Sequence, residues 1–202
     1  MSETLYAIGV SACGAAEIPG YERMVGTPPT PPGVMDVGLQ GAPNMEALTA
    51  LAPQLILIQA WQQQQRPRLE RCAPVESLTI FTGMGDAYAH ASDATRHMGE
   101  PLGCPERGMA LIAACDATLA ACRAQLGAHD GRPLCLAQVI DRNVVSLFSA
   151  GGLYPSVLDR LGLVNAWRGA PNLLWGGTRV GIERLTQVPE ARLVLIGPAA
   201  SA

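Results

Sequence analysis

The sequence predicts an α/β protein of two lobes joined by one long helix. Three observations carry this. Short apolar stretches alternate with short helical patterns along most of the 202 residues, the order that produces mainly parallel sheets covered by helices. One helical pattern, Pro105 to Leu126, runs uninterrupted near the middle of the chain. And the two halves share a device: a strand, a glycine-bearing loop, a short helix with an early glutamate, then an apolar strand. Aligning "NMEALTALAPQLILI" with "GIERLTQVPEARLVLI" exposes this weak internal repeat. The expected division is residues 1–104 for the first lobe, 105–126 for the connecting helix and 127–202 for the second lobe.

In the first lobe, Leu5 and Ile8 before Gly9 read as the end of a helix, followed by a short strand "VSAC". "GTPPTPPG" is an extended connection, because proline fixes φ and removes the backbone donor a helix needs. "VMDVG" reads as a strand. Asn44 is a good N-cap for "MEALTAL", which Pro53 stops. "QLILIQ" is continuously apolar, as a strand covered on both faces must be. "RPRLERC" predicts a short helix, "SLTIFT" a strand, and "DAYAHASDATRHMG" a helix ending at Gly99.

Along the central helix, Met109, Ile112, Cys115, Leu119, Cys122 and Leu126 recur at spacings of three and four. At 1.5 Å per residue the helix spans about 33 Å. Of the six cysteines none forms a CxxC pair. Cys115 and Cys122 lie two helical turns, about 10.5 Å, apart, too far for a disulfide. Both are expected on the buried stripe as small hydrophobes. Beyond "GAHDGRP" the alternation resumes: strands "PLCLAQVI" and "NVVSLFS", helix "YPSVLDRLG", short strand "VNAW", a loop, helix "GIERLTQ" and strand "RLVLIG".

Composition narrows the function. Hydrophobic residues form 49% of the chain and charged residues 15%, enough apolar surface for a packed core. The net charge is −3 without a long basic run, so nucleic acid is not an expected partner. No apolar run approaches the roughly 20 residues of a membrane span. The start, "MSETLYAIGVSACG", carries no signal peptide, which taken alone implies a cytoplasmic chain or a mature or truncated form of an exported one. His90 and His97 are two turns apart and cannot share a metal from one straight helix. Ser146 and Ser149 lack a nucleophile-elbow context, and no phosphate-binding loop or dinucleotide fingerprint occurs. No enzyme is expected, and no metal site.

The stretches "DVGLQGAPNMEAL", "APQLILIQAW", "GLYPSVLDRLGLVNAW" and "NLLWGGTRVGIERL", in this order around one long helix, resemble the periplasmic binding proteins of iron(III)-siderophore ABC importers, the ferric-hydroxamate-binding branch above all. The resemblance covers nearly the whole chain. It implies the class III binding-protein fold: two α/β lobes on a stiff helix, ligand in a shallow groove between them, and little motion on binding. It implies a ferric siderophore as ligand, an inner-membrane ABC permease as partner, a monomer in the periplasm, and no resident cofactor, since the siderophore carries the iron. Against the family pattern, the opening strand and export signal are missing, and the second lobe is incomplete after "RLVLIG". A cobalamin or haem carrier of the same fold is the alternative ligand class. A cytoplasmic α/β module, or a truncated remnant, is the alternative outside transport.

The candidate residues follow. Gln40 stands in a loop at a strand's carboxyl end, where α/β sheets place ligands. The hydroxamate branch usually has an arginine there. An amide donates to ligand oxygens but lacks the charge. Trp61, followed by four glutamines beginning at Gln62, offers an aromatic wall beside polar groups. Trp175, before two glycines, matches the family's groove tryptophan in the second lobe. Trp167 ends "VNAW", with an indole that either packs inward or lines the groove. Tyr88 reads as a helix surface or core residue before it reads as a groove residue. Glu46 and Glu183 sit in the first turn of matching helices, where the helix dipole alone favours a carboxylate. In the family, a glutamate on each lobe docks onto arginines of the permease.

Overall fold

The computed structural model describes residues 1–80, 85–170 and 176–197. The chain divides into two compact units. One comprises Met1–Thr79 with Asp93–Ile112, the other Ile80–Ser92 with Ala113–Ala202.

The first unit opens with α1 (Ser2–Ala7), β1 (Gly14–Ala15), α2 (Ile18–Met24) and β2 (Met35–Asp36). A hairpin of β3 (Gly38–Leu39) and β4 (Ala42–Pro43) leads into α3 (Met45–Leu51). Then come β5 (Ile56–Ile58), a 3-10 helix at Ala60–Gln65, α4 (Arg66–Leu69) and β6 (Val75–Ser77). Two parallel pairs form: β1 with β2, Gly14 opposite Met35, and β5 with β6, Ile56 opposite Val75. Val37 packs with Leu48 of α3, Ile58 of β5, Leu69 of α4 and Val75 of β6 in one core. Asn44 caps α3 as expected, its Oδ1 accepting from the backbone N–H of Glu46 at 3.0 Å and Ala47 at 3.1 Å. Ala52 ends α3 in the left-handed conformation, and Pro53 follows.

Three local expectations shift. The strand expected at "VSAC" forms at Gly14–Ala15. A Cβ on Gly14 would lie 2.7 Å from Leu51 Cδ1 and 2.9 Å from Val37 Cγ1, so only glycine lets the strand pass so close to its neighbours. The strand expected at "SLTIFT" is centred earlier, at Val75–Ser77, where the pairing partner β5 lies; residues 81–82 of that stretch fall outside the described residues. Helix α2 and the β3–β4 hairpin are additions. Pro19 and Gly20 hide α2 from a propensity reading, although proline in the first turn is compatible with a helix.

Helices form at both expected places, α5 (Ala87–Gly99) and α6 (Pro105–Gln125). Each has residues in both units, whereas the expected division keeps α5 wholly within the first lobe. The apolar stripe of α6 is not buried as expected: Met109, Cys115 and Cys122 are exposed. Alanines at 110, 113, 114, 117, 120 and 121 surround the stripe, so the helix has no single strongly apolar face to direct inward. Its one buried residue is Gly108, where a Cβ would stand 3.0 Å from the carbonyl oxygen of Thr95 on α5. Of the six cysteines, all free, only Cys135 is fully buried.

The second unit adds β7 (Leu134–Val139), β8 (Val144–Phe148), α7 (Leu153–Leu161), β9 (Gly177–Gly181) and β10 (Arg192–Leu195), in the sheet order β10-β7-β8-β9. β10 pairs with β7 in parallel, while β7–β8 and β8–β9 are antiparallel. The connection from β7 to β8 decides this. Asp141 Oδ1 accepts from the N–H groups of Asn143 at 2.8 Å and Val144 at 2.9 Å, a tight turn that can only join antiparallel neighbours. The expected strand "VNAW" reduces to one bridge, Asn165 to Leu134. "GIERLTQ" forms a 3-10 helix, Ile182–Gln187, which has no side-chain N-cap. Cys135, Ala137, Val145, Leu147 and Trp167 pack on one face of the sheet; Leu134, Leu136, Phe148 and Leu158 pack on the other.

Candidate functional site

In the first unit the candidate residues gather around the β3–β4 hairpin. Asp36 Oδ1 accepts from the N–H of Gly38 at 2.8 Å, and Asn44 donates back to the carbonyl of Val37 at 2.8 Å, closing the hairpin base. Gln40 and Gly41 form its two-residue tip. The glutamine run fixes that tip. Gln62 Nε2 donates to the carbonyl of Gln40 at 2.9 Å, and Gln65 Nε2 donates to the same oxygen at 3.2 Å. Gln62 Oε1 in turn accepts from the N–H of Gln59 at 2.9 Å, at the end of β5. The backbone of Gln40 is therefore tied to the strand end, and its side chain remains exposed. Trp61, in the same 3-10 helix, is 53% exposed, an unusual state for an indole. The structure thus brings Gln40, Gln62 and the Trp61 helix together. Sequence reasoning missed Gln65, whose only signal was its place in the "QQQQ" run.

In the second unit, Trp167 takes the inward of its two orientations. It is 7% exposed and packs with Cys135, Ala137, Val145 and Leu147, which corrects its expected place among ligand contacts. The ring lies so close over Gly169 that a Cβ there would meet it at 2.6 Å. Trp175 lies outside the described residues. Just before β9, the carbonyl of Gly176 accepts from the N–H of Ser149 at 3.0 Å and from its hydroxyl at 3.3 Å. Asn165, buried, donates to the carbonyls of Phe148 at 2.8 Å and Trp167 at 3.3 Å.

A polar network without a sequence signal joins α5, α6 and α7 within this unit. Arg160 donates from Nη1 and Nη2 to the two carboxylate oxygens of Asp86, at 3.0 and 2.8 Å. Its guanidinium carbon stands 4.0 Å from the ring centroid of Tyr88. Tyr88 donates its hydroxyl to Asp116 Oδ1 at 2.9 Å. The hydrogen bonds from Arg160 hold Asp86 at a pKa of about 2. Burial first, then Asp116, pushes Tyr88 up to about 12. Tyr88 is thereby a packing residue of the three-helix junction.

Glu46 and Glu183 are both exposed at the starts of their helices. Their settings differ. Glu46 stands in a capped α-helix, whereas the carboxylate of Glu183 curls back over Gly181, occupying the space a Cβ would need there.

Over residues 1–197 the sequence matches the family described as periplasmic binding protein. The chain belongs to the periplasmic binding protein family. Among curated relatives, the iron(3+)-hydroxamate-binding protein FhuD of Escherichia coli (strain K12) is 31% identical over 183 residues, covering 91% of this chain and 61% of that protein. This chain therefore spans about three-fifths of the relative's length. The crystal structure of Fe3+-Desferal-bound siderophore-binding protein FhuD from Vibrio cholerae superposes with a TM-score of 0.90 at 26% identity, over 98% of this chain and 75% of that one. A periplasmic haem-binding protein from Pseudomonas aeruginosa, 18% identical with a TM-score of 0.70 over 96% of this chain and 67% of that one, shares the fold. As a periplasmic binding protein, the chain has the expected α/β class. Among the described residues no helix is long and apolar enough to cross a membrane.

Proposed function

We propose that this chain binds an iron(III)-siderophore of the hydroxamate class and delivers it to an inner-membrane ABC permease from the periplasmic side. The observation that carries this is the joint likeness to two ferric-hydroxamate binders: 31% identity across 91% of the chain, and a TM-score of 0.90. Iron is cargo, held by the siderophore; the protein binds and performs no catalysis. In this reading residues 1–104 and 127–202 are two lobes joined by the long helix. Gln40, Trp61, Gln62 and Trp175 contact the ligand. The exposed amide of Gln40 donates to hydroxamate oxygens, and the exposed indole of Trp61 covers an apolar face of the complex. Glu46 and Glu183 point to the permease. The monomer is the acting unit.

A haem carrier shares only the fold at 18% identity and is a control. The test is a tryptophan-fluorescence titration of the purified chain with ferrioxamine B, ferrichrome, a ferric catecholate, haem and cobalamin. Saturable quenching by the two hydroxamates at concentrations at least tenfold below the other three supports the proposal. Tighter binding of haem or cobalamin, or no saturable quenching by any hydroxamate, overturns it.

A further inference from the structure

Helix α7 buries Pro155, Ser156 and Leu158 and leaves Leu153 and Tyr154 outside, 39% and 42% exposed. Pro155 is tolerated there because the first turn of a helix needs no backbone N–H from it. Tyr154 is exposed, yet its ring is anchored. It meets the ring of Phe148 edge to face, with centroids 4.6 Å apart and planes at 67°. Phe148 is itself buried; it ends β8 and stands opposite Gly177 of β9. Its Cε1 lies 3.2 Å from where a Cβ on Gly177 would stand, so the glycine makes room for this ring. Next to Phe148, Ser149 holds the carbonyl of Gly176 by both its N–H and its hydroxyl. Gly176 follows Trp175 in the chain. Through Phe148, Tyr154 is therefore fastened to the start of β9, two residues along the chain from Trp175.

The four tyrosines differ in what their hydroxyls do. Tyr6 is buried. Tyr21 donates to the carbonyl of Pro28, and Tyr88 donates to Asp116. Tyr154 alone is exposed, and among the described residues its hydroxyl has no partner. The residues leading to it, 149–153, are uncharged. An iron(III) centre wrapped by three hydroxamate monoanions is also uncharged, so a neutral donor suits it. We infer that Tyr154 is a further ligand-contacting residue of the second unit: its ring lies against the methylene chain of the ferric hydroxamate, and its hydroxyl donates to an iron-bound hydroxamate oxygen. This rests on the hydroxamate reading above and adds a residue to it. A phenol serves both purposes because it joins a flat apolar body to one polar tip. A ring already held by Phe148 loses little freedom on binding, so the contact keeps most of its energy.

The test uses the full chain and ferrioxamine B, titrated by tryptophan fluorescence. Tyr154→Phe keeps the ring against Phe148 and removes only the hydroxyl. Its affinity should fall about fivefold, the worth of one neutral hydrogen bond, with the unfolding midpoint unchanged. Tyr154→Ala should weaken binding about 30-fold, as loss of an aromatic anchor does; should it fail to fold, Tyr154→Phe carries the test. Fluorine NMR of the chain labelled with 3-fluorotyrosine reads the contact directly, the Tyr154 signal being assigned by its loss in Tyr154→Phe. Paramagnetic iron(III) broadens nearby nuclei steeply with distance. Saturation with ferrioxamine B should therefore broaden Tyr154 more than any other tyrosine, and the diamagnetic gallium(III) complex should shift it without broadening. A tyrosine with a merely structural role would show neither effect. A wild-type chain that binds no hydroxamate overturns the hydroxamate reading and this inference together. A wild-type chain that binds ferrioxamine B overturns this inference alone if Tyr154→Phe binds equally tightly or if the Tyr154 signal stays sharp at saturation.

Discussion

The side-chain amide of Gln62 donates to the main-chain carbonyl of Gln40 at 2.9 Å, across 22 residues of sequence. This one bond fixes a two-residue hairpin tip against the helix that carries Trp61. Its energetic share is modest, because the acceptor is on an exposed loop and water competes. Its positional share is large: the backbone of Gln40 is held while its side chain is left available.

Gln62→Ala removes the bonds to Gln40 and to the N–H of Gln59 together. Stability should fall by about 1 kcal/mol, and hydrogen exchange at the hairpin tip should accelerate. Gln65→Ala, which loses a single longer bond of 3.2 Å, should do less. Urea titration and exchange measurements check both; an unchanged tip in Gln62→Ala would mean that the hairpin holds itself.

The three tryptophans should separate by role. Trp61→Ala and Trp175→Ala should each weaken siderophore binding by about 2 kcal/mol, as loss of an aromatic anchor does. Trp61→Ala should also leave stability within about 0.5 kcal/mol, as at an exposed site. Trp167→Ala should instead cost about 3–5 kcal/mol of stability, because it empties a packed core. Equilibrium unfolding and ligand titration on the same samples read both quantities. A Trp167 variant that folds like wild type would contradict the packing described.

Gln40→Arg should tighten binding of ferric hydroxamates, since a guanidinium offers charge-assisted bonds to the ligand oxygens where an amide offers neutral ones. A gain of about 1 kcal/mol, fivefold or more in Kd, is expected. Titration with ferrioxamine B decides it, and an unchanged or weaker affinity would place the Gln40 side chain off the ligand.

The Asp86–Arg160 pair predicts an acid-side loss of stability. Asp86 titrates at about 2 in the folded chain against an ordinary 3.8. The folded state therefore favours the ionised form, and its contribution is complete above the ordinary value and lost as pH falls from about 4 to about 2. The side chains are 45% and 28% exposed, so screening limits the effect to at most about 1 kcal/mol. Unfolding free energy measured between pH 5 and pH 2 should fall less steeply in Asp86→Asn than in the wild type. Parallel curves would remove Asp86 as a cause.

Glu46→Ala and Glu183→Ala should leave siderophore affinity intact and weaken docking to the permease, with the loss shrinking as salt rises, because exposed charge pairs are screened. Glu183→Ala should be the milder of the two, since its carboxylate is drawn back over Gly181. Permease pull-down at low and high salt reads this. Undiminished docking by the double variant would sink the assignment.

Much of the fold was legible in local chemistry. Asn44 before "MEALTAL", the continuous apolar run ending at Ile58, the unbroken pattern from Pro105 and the alternation through Leu134–Phe148 each fix an element, because caps, periodicity and the absence of proline act within a few residues. By itself the sequence also determined the family, through ordered stretches spread along the whole chain. What it left open depends on contacts between residues far apart. Whether Trp167 faces in or out turns on the packing of Cys135, Ala137 and Leu147 beneath it. Whether Cys115 and Cys122 are buried turns on what covers a helix whose alanines surround the stripe on every side. The tie from Gln62 to Gln40 and the Asp86–Arg160–Tyr88–Asp116 network have no sequence period at all. They arise only when strands and helices are set side by side, since a hydrogen bond is a property of distance and direction in space, and sequence separation carries neither.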